Sequence, residues 1–182
     1  NYVNNIPKRY RKLSKILGIK FNTDNGLVVV DHADSSDFSK NVTLLSGGAG
    51  LVSTLNDYIQ FCKMILNKGE LDGERILSPK TIEFMMEDQL KFIEHKGGPI
   101  TLPSNGTGFG IGFSVVRDNA EKKILGSEGT VGWEGIAGTY FGIDPKENMI
   151  FILMTQLIDF NDLEISNRFK TLVYQSIVEN LN

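Results

Sequence analysis

Phe109, Ile111, Phe113 and Val115 alternate with Gly110, Gly112, Ser114 and Val116. That period of two commits the stretch to a strand with one buried face. Ile136 to Ile143 alternates again, with Gly138, Tyr140 and Gly142 on one side. Asp144-Pro145-Lys146-Glu147-Asn148 reads as a turn, and residues 149–156 follow as a continuous apolar run of the kind found mid-sheet. An amphipathic helix over about 162–180 closes the chain, with Ile165, Phe169, Leu172, Val173 and Ile177 as its stripe. Asn161 and Glu164 fit a capping pair at its start.

Ahead of the sheet the pattern changes to helical spacing. Residues 7–17 predict a short helix with Pro7 at its first turn, and Leu27 to Asp31 a strand introduced by Asn25-Gly26. Ser46-Gly47-Gly48-Ala49-Gly50 leads into a helix capped by Thr54, whose stripe is Leu55, Tyr58, Ile59, Cys62, Ile65 and Leu66. Ser78-Pro79 opens another. Helices, then a strand meander, then a terminal helix specify an α+β fold with an antiparallel sheet near 109–116, 136–143 and 149–156. With 182 residues, 41% of them hydrophobic, the chain can bury a core without disulfide or metal, and a single domain over 1–182 is expected.

Several function classes fall away. A net charge of −3 gives no electrostatic case for nucleic acid. The basic run Lys8, Arg9, Arg11, Lys12 and Lys15 is interleaved with apolar residues and reads as a solvated helix face. His32 and His95 are the two histidines and neither has a partner at ligand spacing, so no metal is expected. Cys62 sits among apolar helical positions and reads as a small buried hydrophobe. The glycines from Gly106 to Gly112 recur every second residue, which matches no phosphate loop; they clear one strand face for close packing, most simply by a helix. No Gly-x-Ser-x-Gly elbow occurs, and no lysine has a serine three positions before it. Tyr2-Val3-Asn4 is a Tyr-x-Asn match at the extreme terminus and reads as chance.

Two segments remain. Ser46-Gly-Gly-Ala-Gly-Leu-Val-Ser-Thr-Leu-Asn-Asp-Tyr58 feeds the capped helix, and Gly132-Trp-Glu-Gly-Ile-Ala-Gly-Thr-Tyr-Phe-Gly-Ile-Asp-Pro145 opens on a glycine-bracketed aromatic. With Gly69 to Pro79 and Thr107 to Phe113 between them in order, they resemble the serine β-lactamase-like family: class C β-lactamases, penicillin-binding DD-peptidases and related esterases. The resemblance runs from about Ile6 onward and matches the C-terminal half of such proteins. It implies that the nucleophilic Ser-x-x-Lys and the Tyr-x-Asn lie upstream, and a chain opening on Asn1 rather than methionine fits an excised portion.

The family's third motif, Lys-Thr-Gly or His-x-Gly, corresponds by resemblance to Trp133-Glu134-Gly135. Gly135 would keep the strand bare beside substrate, and the Ile136 N–H would be one oxyanion donor. Tryptophan in place of lysine removes the charged partner of a substrate carboxylate, which favours an uncharged small-molecule ester or amide in an esterase-like parent. Strand alternation points Glu134 away from the Trp133 side. No cofactor is implied. The chain alone should lack activity, and the apolar face left by a missing half should drive self-association. A periplasmic or cell-surface location follows from family habit only. The rival reading is a non-catalytic binding or scaffold module derived from the same family.

Overall fold

The computed structural model describes residues 19–22, 26–29, 32, 34–36, 48, 51–92, 106–158 and 164–179. The expected helix at 7–17, the basic run within it, Tyr2-Val3-Asn4 and His95 lie outside the described residues.

Thr54 and Ser78 begin the first two helices as their side chains predict. The Thr54 hydroxyl accepts from the Asp57 N–H at 3.2 Å and opens α1 (Leu55–Leu66). The Ser78 hydroxyl accepts from the Thr81 N–H at 3.0 Å, with Pro79 at the first position of α2 (Pro79–Met86). Short strands β1 (Ile19–Asn22) and β2 (Gly26–Val29) form an antiparallel pair, and a tight hairpin, β3 (Glu70–Leu71) and β4 (Glu74–Arg75), follows α1.

The main sheet has five antiparallel strands in chain order: β5 (Thr107–Phe109), β6 (Ser114–Val116), β7 (Val131–Glu134), β8 (Tyr140–Asp144) and β9 (Met149–Leu153). A one-turn helix, α3 (Asn119–Lys122), lies between β6 and β7. After β9, β10 (Leu157–Ile158) pairs in parallel with β1, and α4 (Ile165–Gln175) follows.

Strand bounds differ from the sequence pattern in all three expected strands, and the third, 149–156, ends at Leu153. The segment 109–116 is two strands joined by a loop, because Gly112 takes a φ of +83° and the Gly110 N–H donates to the Phe113 carbonyl at 2.8 Å. Phe113 and Val115 keep the alternation and are buried, whereas Ile111 sits in the loop, exposed. The segment 136–143 likewise begins as a turn and becomes strand only at Tyr140. The expected capping pair at 161 and 164 is also revised. Asn161 lies outside the described residues, and Glu164 is itself the cap residue, at a φ of +48°, with no side-chain capping bond.

The sheet is covered on both faces. Tyr58, Cys62 and Ile65 of α1 meet Phe113, Val115, Val131, Phe141 and Ile143, with Tyr58 edge-on to Phe141 at 5.1 Å. Cys62 is fully buried there, and burial pushes its thiol up to about 12, far from a nucleophile's range. On the opposite face Phe151 packs between Phe169 and Tyr174 of α4, ring centroids 6.3 and 5.8 Å away. Asp144, wholly buried, ties that helix down. One carboxylate oxygen accepts the Tyr174 hydroxyl at 2.7 Å, and the other accepts the N–H groups of Lys146 and Glu147. The glycines at 108 and 110 do clear a helix. β-Carbons there would overlap the Asp88 carboxylate and the Met85 carbonyl, at and just beyond the C-terminal end of α2.

Gly142 lies under the Phe151 ring, where a β-carbon has no room. Hemmed in by Tyr140, Phe169 and Tyr174, that ring cannot swing aside. Gly142→Ala should therefore cost about 1–3 kcal/mol, the usual penalty of overpacking a core. Urea unfolding should show a lower midpoint at unchanged slope; an unchanged midpoint would contradict the packing described.

Candidate active site

β7 is the third strand of five, and its pairing with β8 sets Trp133 opposite Phe141 and Glu134 opposite Tyr140. Successive side chains leave a strand on opposite faces. The register directs the Trp133 Cβ to the side of Phe141, and its ring lies edge-on to Phe109 at a centroid distance of 5.2 Å and stays 42% exposed. It is a half-exposed aromatic outside the buried core. Glu134 emerges on the α4 side, as alternation predicts, and lines a cavity of about 280 Å³ together with Lys122, Tyr140 and Lys170.

The chain then turns sharply. The Gly135 N–H donates to the Thr139 carbonyl at 2.8 Å, and the Gly138 N–H donates to the Gly135 carbonyl at 2.9 Å. Gly138 holds a φ of +76°, a conformation glycine adopts without a steric cost. The turn is also fastened from outside: the Ala137 carbonyl accepts both the Leu157 N–H at 2.8 Å and the Thr155 hydroxyl at 2.7 Å. Ile136 occupies the second position of this β-turn, where the turn itself makes no use of the N–H. The residue is 83% exposed, and its N–H has no partner among the described residues.

Gly135 has an internal reason to be glycine, since the Thr139 hydroxyl fills the place a β-carbon would take. The four residues singled out from the sequence, Trp133, Glu134, Gly135 and Ile136, thus do not converge on one point. Trp133 and Glu134 both line the cavity, whereas Gly135 and Ile136 lie in the turn outside its lining.

Sequence reasoning passed over Phe109 as the partner of Trp133, and it passed over Lys122 and Lys170 entirely. Lys170 lies on the inner face of α4 at 8% exposure, with its ammonium 4.6 Å from the centre of the Tyr140 ring. Loss of hydration lowers its pKa to about 8; nearby Lys122 pushes the same way and Glu134 opposes. Desolvation also lowers Lys122, and burial raises the Tyr140 hydroxyl. Among the described residues no group of three or more His, Cys, Asp or Glu side chains gathers as a metal site would require.

A five-stranded antiparallel sheet flanked on both faces by helices, with a pinned glycine turn after its third strand, is the α+β architecture of the serine β-lactamase-like fold. The chain belongs to the beta-lactamase family, whose model matches residues 10–173. Two Mycobacterium tuberculosis proteins, Protein Rv1367c of strain H37Rv and the uncharacterized protein MT1414 of strain CDC 1551, are each 36% identical over 118 residues. That match covers 61% of this chain and 29% of theirs. Among solved structures, simvastatin synthase (LovD) from Aspergillus terreus superposes with a TM-score of 0.67 at 18% identity, covering 89% of this chain and 43% of LovD. EstCE1, a hydrolase with promiscuous acyltransferase activity, gives 0.62 at 22% identity, covering 86% of this chain and 38% of its own. The chain therefore spans well under half the length of these relatives.

The Lys170 environment predicts a pH signature. A lysine whose folded-state pKa is depressed makes the unfolded chain the better proton binder between the two values, so stability rises with pH from about 8 towards the ordinary lysine value. The groups facing it are Lys122, Glu134 and Tyr140. Lys170→Met should raise the melting temperature at pH 7, and the gain should shrink as pH passes from 8 to 10. A variant less stable than the parent at pH 7 would show that the buried charge is not a cost.

Proposed function

We propose that this chain forms one wall and one half of the oxyanion hole of an esterase-like acyl-serine hydrolase, with the serine and its lysine base contributed by residues outside these 182. The observation that carries the reading is the Ile136 N–H, unpartnered and exposed on a turn held by four backbone and side-chain hydrogen bonds. A donor held in advance of the reaction stabilises the negative charge that develops on a substrate carbonyl oxygen as the serine oxygen bonds to its carbon. The alcohol or amine then departs with the proton carried by the base, and water releases the acyl group by the reverse sequence.

Trp133 selects the substrate class. Its indole offers an apolar face and a single N–H donor where a lysine would offer an ammonium for a carboxylate. Substrates bearing a carboxylate beside the scissile bond, as β-lactams and D-alanyl peptides do, lose a charge-assisted contact. Uncharged acyl esters lose nothing and gain apolar surface against Trp133 and Phe109.

The test uses the full-length protein that carries this chain. Short-chain p-nitrophenyl esters should be turned over with a kcat/KM about a hundredfold or more above that of a cephalosporin, the order expected when a carboxylate loses its charged partner. The chain on its own should form no adduct with a fluorophosphonate. Preferential cephalosporin hydrolysis would overturn the substrate assignment, and a stoichiometric adduct on the isolated chain would overturn the placement of the nucleophile.

A further inference from the structure

Against β7, the cavity of about 280 Å³ brings together Lys122 from α3, Trp133 and Glu134 from β7, Tyr140 from β8 and Lys170 from α4, with Thr107, Ser114 and Thr130 completing its polar lining. Its size sits at the small end of ligand sites, which run from about 300 Å³ upward. Two features separate it from an ordinary packing defect.

The first is the state of its cations. Among the described residues neither lysine ammonium makes an ion pair or a hydrogen bond; Lys170 is more than nine-tenths buried as a residue, and its ammonium opens into the cavity. The face of the Tyr140 ring is a favourable contact of the Lys170 charge. The Tyr140 hydroxyl likewise makes no hydrogen bond among the described residues and is free to donate into the cavity its residue lines. Ser114 is already committed, its hydroxyl donating to the Gly132 carbonyl at 2.8 Å.

The second is the charge balance. Two ammonium groups face one carboxylate, and Glu134 stays outside the 4 Å reach of an ion pair with either. The cavity thus holds one surplus positive charge, and the two lysines repel each other across it. An anion placed between them would satisfy both ammonium groups and the phenol at once.

From this juxtaposition we propose that the cavity is a binding site for a small oxyanion, a carboxylate or a phosphate, held between Lys122 and Lys170 with the Tyr140 hydroxyl as a third donor. The site shares Trp133 with the wall of the proposed acyl-transfer centre, but its donors are the two lysines and the phenol, and it does not rest on that reading. It reaches the same strand, however: Glu134 and Trp133 are consecutive residues of β7, so an anion that draws the lysines away from Glu134 acts on the strand that carries the turn at Ile136.

Inorganic phosphate and acetate are the probes, titrated calorimetrically into the full-length protein at pH 7 and low ionic strength. Saturable one-site binding of either supports the site. Phosphate alone would identify a phosphoryl ligand, and acetate alone a carboxylate. Lys170→Met, which the burial of that charge predicts to fold, should weaken binding about tenfold or more, and Lys122→Gln should do likewise. Glu134→Gln should tighten it by removing the competing carboxylate. A parallel readout is amine acylation followed by peptide mapping, in which the anion should protect Lys170 and Lys122 while leaving exposed Lys63 unprotected. Absence of saturable binding by both probes would overturn the proposal, as would binding that survives both lysine substitutions unchanged.

Discussion

The pairing register of β7 on β8 is the constraint on which the rest depends. Val131 opposite Ile143, with Phe141 beside them, puts one set of side chains into the core under α1, and Gly142 leaves the other face bare enough for the Phe151 ring. A slip of one residue would drive Trp133 behind the sheet and Glu134 into the apolar core. The packing forbids it: Val131 and Ile143 are almost wholly buried, and Asp144, one residue on, is locked to Tyr174. The register also determines where the turn falls, so the Ile136 N–H inherits its place from core packing several residues away.

One strand consequently serves two unlike environments. Its end presents half-open aromatic surface, Trp133 on Phe109, and then an unclaimed backbone donor. On its α4 side it presents Glu134 to two poorly hydrated lysines. Holding Lys170 inside costs stability, because no charged group among the described residues pairs with it directly. Residues kept at such a cost belong more often to sites than to scaffolding.

Much of the architecture was legible in the sequence. Thr54 and Ser78-Pro79 marked helix starts through capping chemistry that acts within a few residues, and period-two alternation identified the sheet. The failures were of two kinds. Alternation does not register a turn when the loop residues continue the pattern, so Ile111 and Ile136 read as strand although Gly112 and Gly138 turn the chain beside them. The ring against Trp133 and the lysine that shares a cavity with Glu134, Phe109 and Lys170, lie 24 positions before and 36 positions after them, a separation that no local pattern encodes. Lys170 was invisible for a further reason: on an amphipathic helix a lysine reads as solvent-facing, and only the fold shows it turned inward.

The central claim is that the Ile136 N–H is held in place for a developing oxyanion, and one substitution isolates it. Proline is favoured at the second position of a β-turn and has no N–H, so Ile136→Pro deletes the donor while keeping the turn. In the full-length protein, kcat for a p-nitrophenyl ester should fall by about 100- to 1,000-fold with the melting temperature nearly unchanged. A variant that folds as the parent does and keeps its full kcat would contradict the account.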